Sequence, residues 1–509
     1  MRAFGRSVFA LFLCTLGTEA VQAAPCGLAG LYAGAAKTPF GNADVTLNLY
    51  CDKDHEGAQI FTSIGDFAVK DVTGAAGHVR VAFDSGASLG TLDLDAKEGG
   101  LSGSYTIAGE SGALSLARTG DSQGLDAMTP RLDLTLAQWR DDLAYFAREL
   151  PAHHANAFFT LSKAAFDAQI ADLDRRLPSL GDDERLMALQ KIVNTIGDGH
   201  TGIVFPQPRY PLGIDIGKFG DDFRIIAVAP GRENVLGARI LKIGNTPIAQ
   251  AYATALDYTP VGELTELRQV RALVYLTRGL FLHGAGLVPS HEHALFTLQS
   301  DDGKIFESDI AWSPGAEQHT ASGAPTPFAK THVGETFWCD WLEANATVFC
   351  AFHAYEDLDK RAKQMFALLA AKHPKKLVID MRDNGGGDNT VGDAQLVKPL
   401  KASEYNARGR LYILIGADTF SAAMNNAAQF QDETAAILVG ETIGEKPNSY
   451  QEPRQFRLPN SHLIVRASTR YYAFRKTGEN AVRPNKEVLP TWDDIKSGRD
   501  PVLDWVLAQ

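Results

Sequence analysis

Three short apolar runs, each cut off by a glycine or a polar loop, limit what this chain can fold into more than any other feature. They are Leu377-Val378-Ile379, Leu411-Tyr412-Ile413-Leu414-Ile415 and Ile437-Leu438-Val439. Continuous apolar runs of this length, broken by helical patterns, suit parallel strands covered on both faces. The first run leads into Asp380-Met381-Arg382-Asp383-Asn384 and three glycines, Gly385 to Gly387. The second ends in Gly416-Ala417-Asp418-Thr419-Phe420-Ser421, followed by a helix-like stretch from Ala422 to Phe430, and the third precedes Gly440. Loops at the carboxyl ends of such strands are where α/β folds place their chemistry. A glycine loop with free backbone N–H groups and a serine at a strand-to-helix turn both fall there.

The rest of the chain is expected to form separate modules, since 509 residues exceed a single core. Residues 1–23 read as a secretory signal, with Arg2 and Arg6, an apolar stretch from Val8 to Leu16, and Val21-Gln22-Ala23 as the cleavage site. No later run is long enough to span a bilayer, so a soluble exported protein, periplasmic or extracellular, is expected. The net charge of −12 argues against nucleic acid or an anionic membrane as the main partner. After the signal, Cys26, Cys51, Cys339 and Cys350 remain. An even count in an exported chain points to disulfides, most simply Cys26–Cys51 and Cys339–Cys350, because each pair then lies within one module. The absence of C-x-x-C and H-x-x-x-H patterns argues against a zinc site.

Residues 25–118 alternate apolar and polar between glycine-rich breaks, as in a small β sandwich or barrel. Residues 131–200 are helical, with Thr135 as an N-cap and Pro151 as a stop, and with Gly197 as a C-cap just ahead of Asp198-Gly199-His200-Thr201. His153 and His154 read as bland. Residues 201–345 are β-rich, and Gly237 to Asn245 resembles the strand and turn of a PDZ-like module. Residues 350–509 form the α/β core with a mostly parallel sheet. The fold class is therefore multidomain α/β.

A serine hydroxyl attacks only if one group takes its proton and others stabilise the resulting oxyanion. At a helix start Ser421 has the N–H of Ala422 beside it, and the glycine loop, Gly386 above all, can supply a second donor. The competing readings are an N-cap for Ser421 and an ordinary turn for the loop. An EF-hand is excluded by Ala394 where its final Glu would stand.

Val378 to Gly387, Thr419-Phe420-Ser421-Ala422-Ala423 and Gly440-Glu441-Thr442-Ile443-Gly444-Glu445-Lys446 together resemble the S41 serine peptidases, which include the tail-specific (C-terminal processing) proteases and the tricorn core protease. The resemblance runs from about Leu134 to Gln509. It implies a serine endopeptidase acting on peptides or proteins, without metal or nucleotide, in a family that often forms homo-oligomers. Two bases occur in that family. Lys446 matches the lysine of the Ser–Lys dyad, and His200 matches the histidine of the tricorn-like branch. Glu479-Asn480-Ala481-Val482-Arg483-Pro484-Asn485 is similar to that branch's glutamate motif. The expected site is thus Ser421 as nucleophile, His200 as base with Lys446 as the alternative, Glu479 orienting the imidazole, and Gly386 and Ala422 holding the oxyanion. Lys446, Arg382 and Arg470 are candidates for reading a substrate carboxylate. A different class remains open: a binding protein on the same fold, as in the family's retinoid-binding relatives, with the pocket kept and catalysis lost.

Overall fold

The computed structural model describes residues 26–509, apart from residues 39–40, 53–54, 76, 85–88, 108, 123–128, 208, 314–319, 322–327, 329–330, 333 and 477. The signal reading, residues 1–23, lies outside the described residues. Two compact units divide at Met128 and Thr129. The first is a closed antiparallel barrel of eight strands, from Gly30–Thr38 to Glu110–Gly120, each paired with its chain neighbour and the last with the first. Barrel rather than sandwich resolves the alternative left by the alternation. Val45, Leu47, Leu49, Val79, Val81, Leu92 and Leu94 point inward and fill the interior. The Cys26–Cys51 disulfide ties the barrel's entry to its second strand, with Cα atoms 5.6 Å apart.

In the second unit the apolar runs occupy the middle of a six-stranded sheet. Its order is Phe337–Leu342, Thr347–Phe352, Lys376–Asp380, Leu411–Ile415, Ile437–Gly440, Lys486–Glu487. Only the first pair is antiparallel, and there the Cys339–Cys350 disulfide links directly opposed residues. Successive side chains of a strand face opposite ways, so each run feeds two cores. Leu377, Ile379, Leu411, Ile413 and Ile415 pack with helices Leu358–Lys372 and Ala422–Glu433. Val378, Tyr412, Leu414 and Val439 pack with the C-terminal helix Pro501–Leu507. Each of these buried aliphatic side chains stabilises the fold by roughly 1.5–3 kcal/mol. Gly440 ends its strand at φ 127°, where a Cβ would lie 2.1 Å from the Ile415 carbonyl oxygen, so no other residue fits.

Three helices precede the sheets: Leu136–His153, Lys163–Arg176 and Asp182–Asn194. Thr135 caps the first through a reciprocal box with Gln138. Pro151 does not stop that helix but lies in its last turn, and the third helix ends one residue before its cap, Thr195, not at Gly197. The strand Arg239–Ile243 is paired on both sides within a seven-stranded sheet, so it is not itself an open edge. Among the described residues, no helix is long and apolar enough to cross a membrane.

A small third sheet brings distant segments together. Gly202–Val204, just after His200, pairs antiparallel with Ile464–Arg466 in the strand Ile464–Ala473, which pairs in turn with Asn448–Arg457. This pairing fixes the Asp198–Thr201 turn against the C-terminal half of the chain.

Candidate active site

Ser421 stands between strand Leu411–Ile415 and helix Ala422–Glu433 with φ 54° and ψ −123°. A non-glycine residue in this region is strained by about 1–3 kcal/mol, and such strain concentrates at functional turns. Its hydroxyl makes no capping bond to the helix. Oγ lies instead 3.1 Å from Nε2 of His200. The turn is held from below: the Thr419 hydroxyl donates to the Met381 carbonyl at 2.8 Å, and the Phe420 amide donates to the Asn384 carbonyl at 2.9 Å.

The glycine loop approaches this turn closely. At Gly386, φ is 107° and a Cβ would sit 2.7 Å from the Ser421 Cβ and 3.2 Å from the Ala422 nitrogen. The Gly386 amide donates to Asn384 Oδ1 at 2.9 Å, while the Asn384 side-chain NH₂ is spent on the Phe352 carbonyl at 2.9 Å. The Ala422 amide, first in its helix, has no acceptor within that helix.

Behind the serine the imidazole meets a different acid from the one expected. Nδ1 of His200 is 3.4 Å from Oε1 of Glu445, whose other oxygen accepts the Ser421 backbone N–H. Glu445 is fully buried. Glu479 is on the surface, its side chain 59 % exposed, with its carboxylate gripped by Arg483 at 2.6 Å and 2.9 Å. Glu445 therefore takes the place beside the imidazole that the motif assigned to Glu479. The Lys446 ammonium donates to the Gly262 carbonyl rather than to Ser421. Arg382 is locked between Asp380 and Asp500 (2.6 Å to each), where burial disfavours its charge but the two carboxylates prevail and hold it protonated. Arg470 pairs with Glu452. Arg382 is thus held in a buried ion-pair network, whereas Arg470 remains on the surface.

Three further residues complete the site. Glu263, buried, accepts the Gly199 amide at 2.9 Å and the Lys446 amide at 3.0 Å, joining the histidine turn to the Glu445 loop. Asp198, also buried, accepts at Oδ1 from Ser468 Oγ (2.6 Å) and the amides of Thr201 (2.8 Å) and His200 (3.1 Å). Its Oδ2 is 2.9 Å from Nε2 of His154, whose Nδ1 accepts the Asn156 amide at 2.9 Å. That acceptor role at Nδ1 assigns the proton to Nε2, so His154 donates to Asp198. Asp198 lay in the Asp198-Gly199-His200-Thr201 motif without a role, and His154 read as bland. Glu263 carries no sequence signal. The His200 ring stacks on Phe420 with centroids 4.6 Å apart, and the Arg271 guanidinium lies over the Phe420 ring at 5.3 Å from its centroid.

Burial sets the protonation of the group. It pulls His200 down to about 4, a shift that nearby Asp198 opposes and Arg271 reinforces. It pushes Glu263 up to about 7, and Glu445 well above the usual carboxylate range with Glu263 adding to the shift. For Asp198 burial works against charge, but the bonds from His154, Ser468 and Thr201 outweigh it and hold the carboxyl below its ordinary value. At neutral pH the imidazole is thus neutral, and its Nδ1 and Glu445 Oε1 face each other at 3.4 Å, both buried and neither in a hydrogen bond. A cleft of about 400 Å³ opens beside His200, lined in part by Phe205, Arg209, Arg271 and Arg466.

Comparison with known proteins bears on the family and the fold. Residues 349–488 match the model of peptidase family S41. Among solved structures the chain is similar to mature CPAF complexed with lactacystin, at 14% identity and a TM-score of 0.53, covering 73% of this chain and 98% of that one. It is also similar to mature CPAF alone, at 12% identity and a TM-score of 0.52, covering 73% and 96%. At such identities the likeness is one of fold. No curated protein matches the chain in sequence. The family match thus falls on the stretch that carries the parallel strands, the glycine loop and the serine turn, within a fold similar to that of CPAF.

Proposed function

We propose that the chain is an exported endopeptidase in which Ser421 is the nucleophile and His200 its general base. The reading is carried by the 3.1 Å approach of His200 Nε2 to Ser421 Oγ. Ser421 Oγ attacks the scissile carbonyl carbon while its proton passes to Nε2. The resulting oxyanion is held by the Ala422 amide and by the Gly386 amide, once the latter turns from Asn384. Nε2 then returns the proton to the leaving amine, the C–N bond breaks, and water hydrolyses the acyl-enzyme by the same route. Glu445 orients Nδ1 and holds the serine backbone, and Asp198 with His154 fixes the turn that carries His200. Two disulfides support folding in an oxidising compartment.

A fluorophosphonate probe tests the reading. We expect covalent labelling of the wild-type protein at the peptide containing Ser421, blocked by prior treatment with lactacystin and lost in Ser421→Ala. An intact wild-type protein that takes no label, and cleaves no unstructured protein substrate, would favour a binding role instead.

A further inference from the structure

Helix Asp182–Asn194 reaches from the catalytic cleft, where Gln190 and Asn194 form part of the lining, to a second cluster roughly 16 Å away along its axis. In its first turn Asp183 points Oδ2 at Nδ1 of His283 (2.7 Å) and Nδ1 of His291 (2.6 Å). The three candidate ligand atoms lie within 4.8 Å of one another. Asp183 is buried, whereas the two imidazoles are about one-third exposed, at 33% and 31%. They open onto a cleft of about 430 Å³ that is also lined by Asp133 and Asp182.

The cluster is built by close backbone contact. Helix Gly279–Gly284 carries His283, and glycine at both of its ends lets the neighbouring segments approach. A Cβ at Gly279 would lie 1.9 Å from the His291 carbonyl oxygen, and one at Gly284 would lie 2.5 Å from the Asp183 carbonyl oxygen. The His291 ring is fixed by stacking on Tyr210 with centroids 3.9 Å apart. Two imidazole nitrogens and one carboxylate oxygen converging from three segments form a donor set suited to a borderline divalent ion. Calcium and magnesium prefer oxygen alone.

We propose that Asp183, His283 and His291 bind a divalent transition-metal ion, zinc by preference, that braces the wall of the catalytic cleft. On binding, each imidazole takes its neutral Nε2–H tautomer, the proton leaving Nδ1 for solvent while Nε2 keeps or gains one from it, so that the Nδ1 lone pair bonds the metal; the carboxylate stays anionic, and water from the open cleft completes the coordination. The ion takes no part in peptide cleavage. Its mechanical reach runs through residues 205–207 and 209–210, which border both clefts. Phe205 and Arg209 line the cleft beside His200, while Pro206, Gln207 and Tyr210 line the ion site. Fixing His291 fixes Tyr210, and with it one side of the cleft.

The test uses the full chain stripped with a chelator and dialysed, then titrated with zinc chloride. We expect one ion bound per chain, a rise in melting temperature, and a visible absorption band when cobalt(II) replaces zinc. His283→Gln and His291→Ala should each weaken binding by about 100-fold or more, since even outer-sphere partners are worth 10–100-fold. His200→Ala should bind as the wild type does, which separates this site from the catalytic histidine. Should a histidine variant fail to fold, carbethoxylation of the wild-type protein gives the same answer, because zinc should protect His283 and His291 from the reagent. Stoichiometric binding that survives both substitutions, no zinc binding at all, or equal carbethoxylation with and without zinc would overturn the proposal.

Discussion

Oε1 of Glu445 lies 3.4 Å from Nδ1 of His200, and the same carboxyl group receives the backbone N–H of Ser421. One buried side chain therefore touches both the base and the nucleophile's backbone. Truncating it should harm catalysis far more than truncating the acid the motif suggested. We expect Glu445→Ala to lower kcat by at least about 10²-fold, on the scale of losing one preorganised active-site partner. Glu479→Ala should stay within about threefold of wild type, as expected of a surface ion pair. Steady-state kinetics on one peptide substrate decides between them.

Gly386 gives a second expectation. A methyl group there would collide with the Ser421 Cβ at 2.7 Å, at a φ of 107° that side chains rarely adopt. Gly386→Ala should cost about 1–3 kcal/mol of stability from backbone strain and lower kcat by about 10²–10³-fold from a displaced oxyanion donor. Denaturant titration and kcat, measured on the same preparation, check both parts.

Asp198 is surrounded by donors: Ser468 Oγ, two amides and His154 Nε2–H. In Asp198→Asn one oxygen becomes an NH₂ facing the His154 donor, and His154 cannot change tautomer without abandoning the Asn156 amide. We expect a loss of about 1.5–3 kcal/mol, the worth of a hydrogen bond to a charged group. A fall in kcat should accompany it as the His200 turn loosens. An unchanged urea midpoint would contradict this view of the network.

The pH dependence follows from burial. His200 must be neutral to accept the serine proton, and its folded-state value lies at about 4 instead of the ordinary 6.5. The free enzyme should then keep its kcat/KM as pH falls through 6.5 and lose it only toward 4. The stability contribution has the matching sign: the folded state binds fewer protons than the unfolded chain between these values, so His200 favours folding above 6.5 and this is lost as pH falls toward 4. Glu263, pushed up to about 7, can add a limb of its own, so an acid limb of kcat/KM at 6.5 or above that persists in Glu263→Gln would show that the imidazole is not desolvated as described.

Much of the fold could be read from residue patterns because the determinants are local. The runs at Leu377, Leu411 and Ile437 become the central parallel strands, and Gly440 closes its strand where only glycine fits. The alternation before Asp121 becomes a barrel, a choice over a sandwich that rests on the pairing of the last strand with the first. Motifs also singled out Ser421 and His200. They could not name the acid, because Glu445 and Glu479 both follow glycine in loops of similar character. What separates these two is the pairing of Gly202–Val204 with Ile464–Arg466 and the Glu263 staple, both long-range. His154 gives no local signal for the same reason, since its partner Asp198 is near only in space. Asp183, His283 and His291 have no short spacing to betray them.

The central claim is that the imidazole, not the neighbouring lysine, takes the proton of Ser421. The most direct measurement is kcat/KM of His200→Ala and Lys446→Ala, each shown to be folded by circular dichroism, on one substrate. We expect His200→Ala to lose about 10⁴-fold or more, as other hydroxyl–imidazole pairs do. Lys446→Ala should remain within about tenfold of wild type, its ammonium serving only the Gly262 carbonyl. Near-wild-type turnover by His200→Ala, with activity abolished in Lys446→Ala, would contradict the assignment.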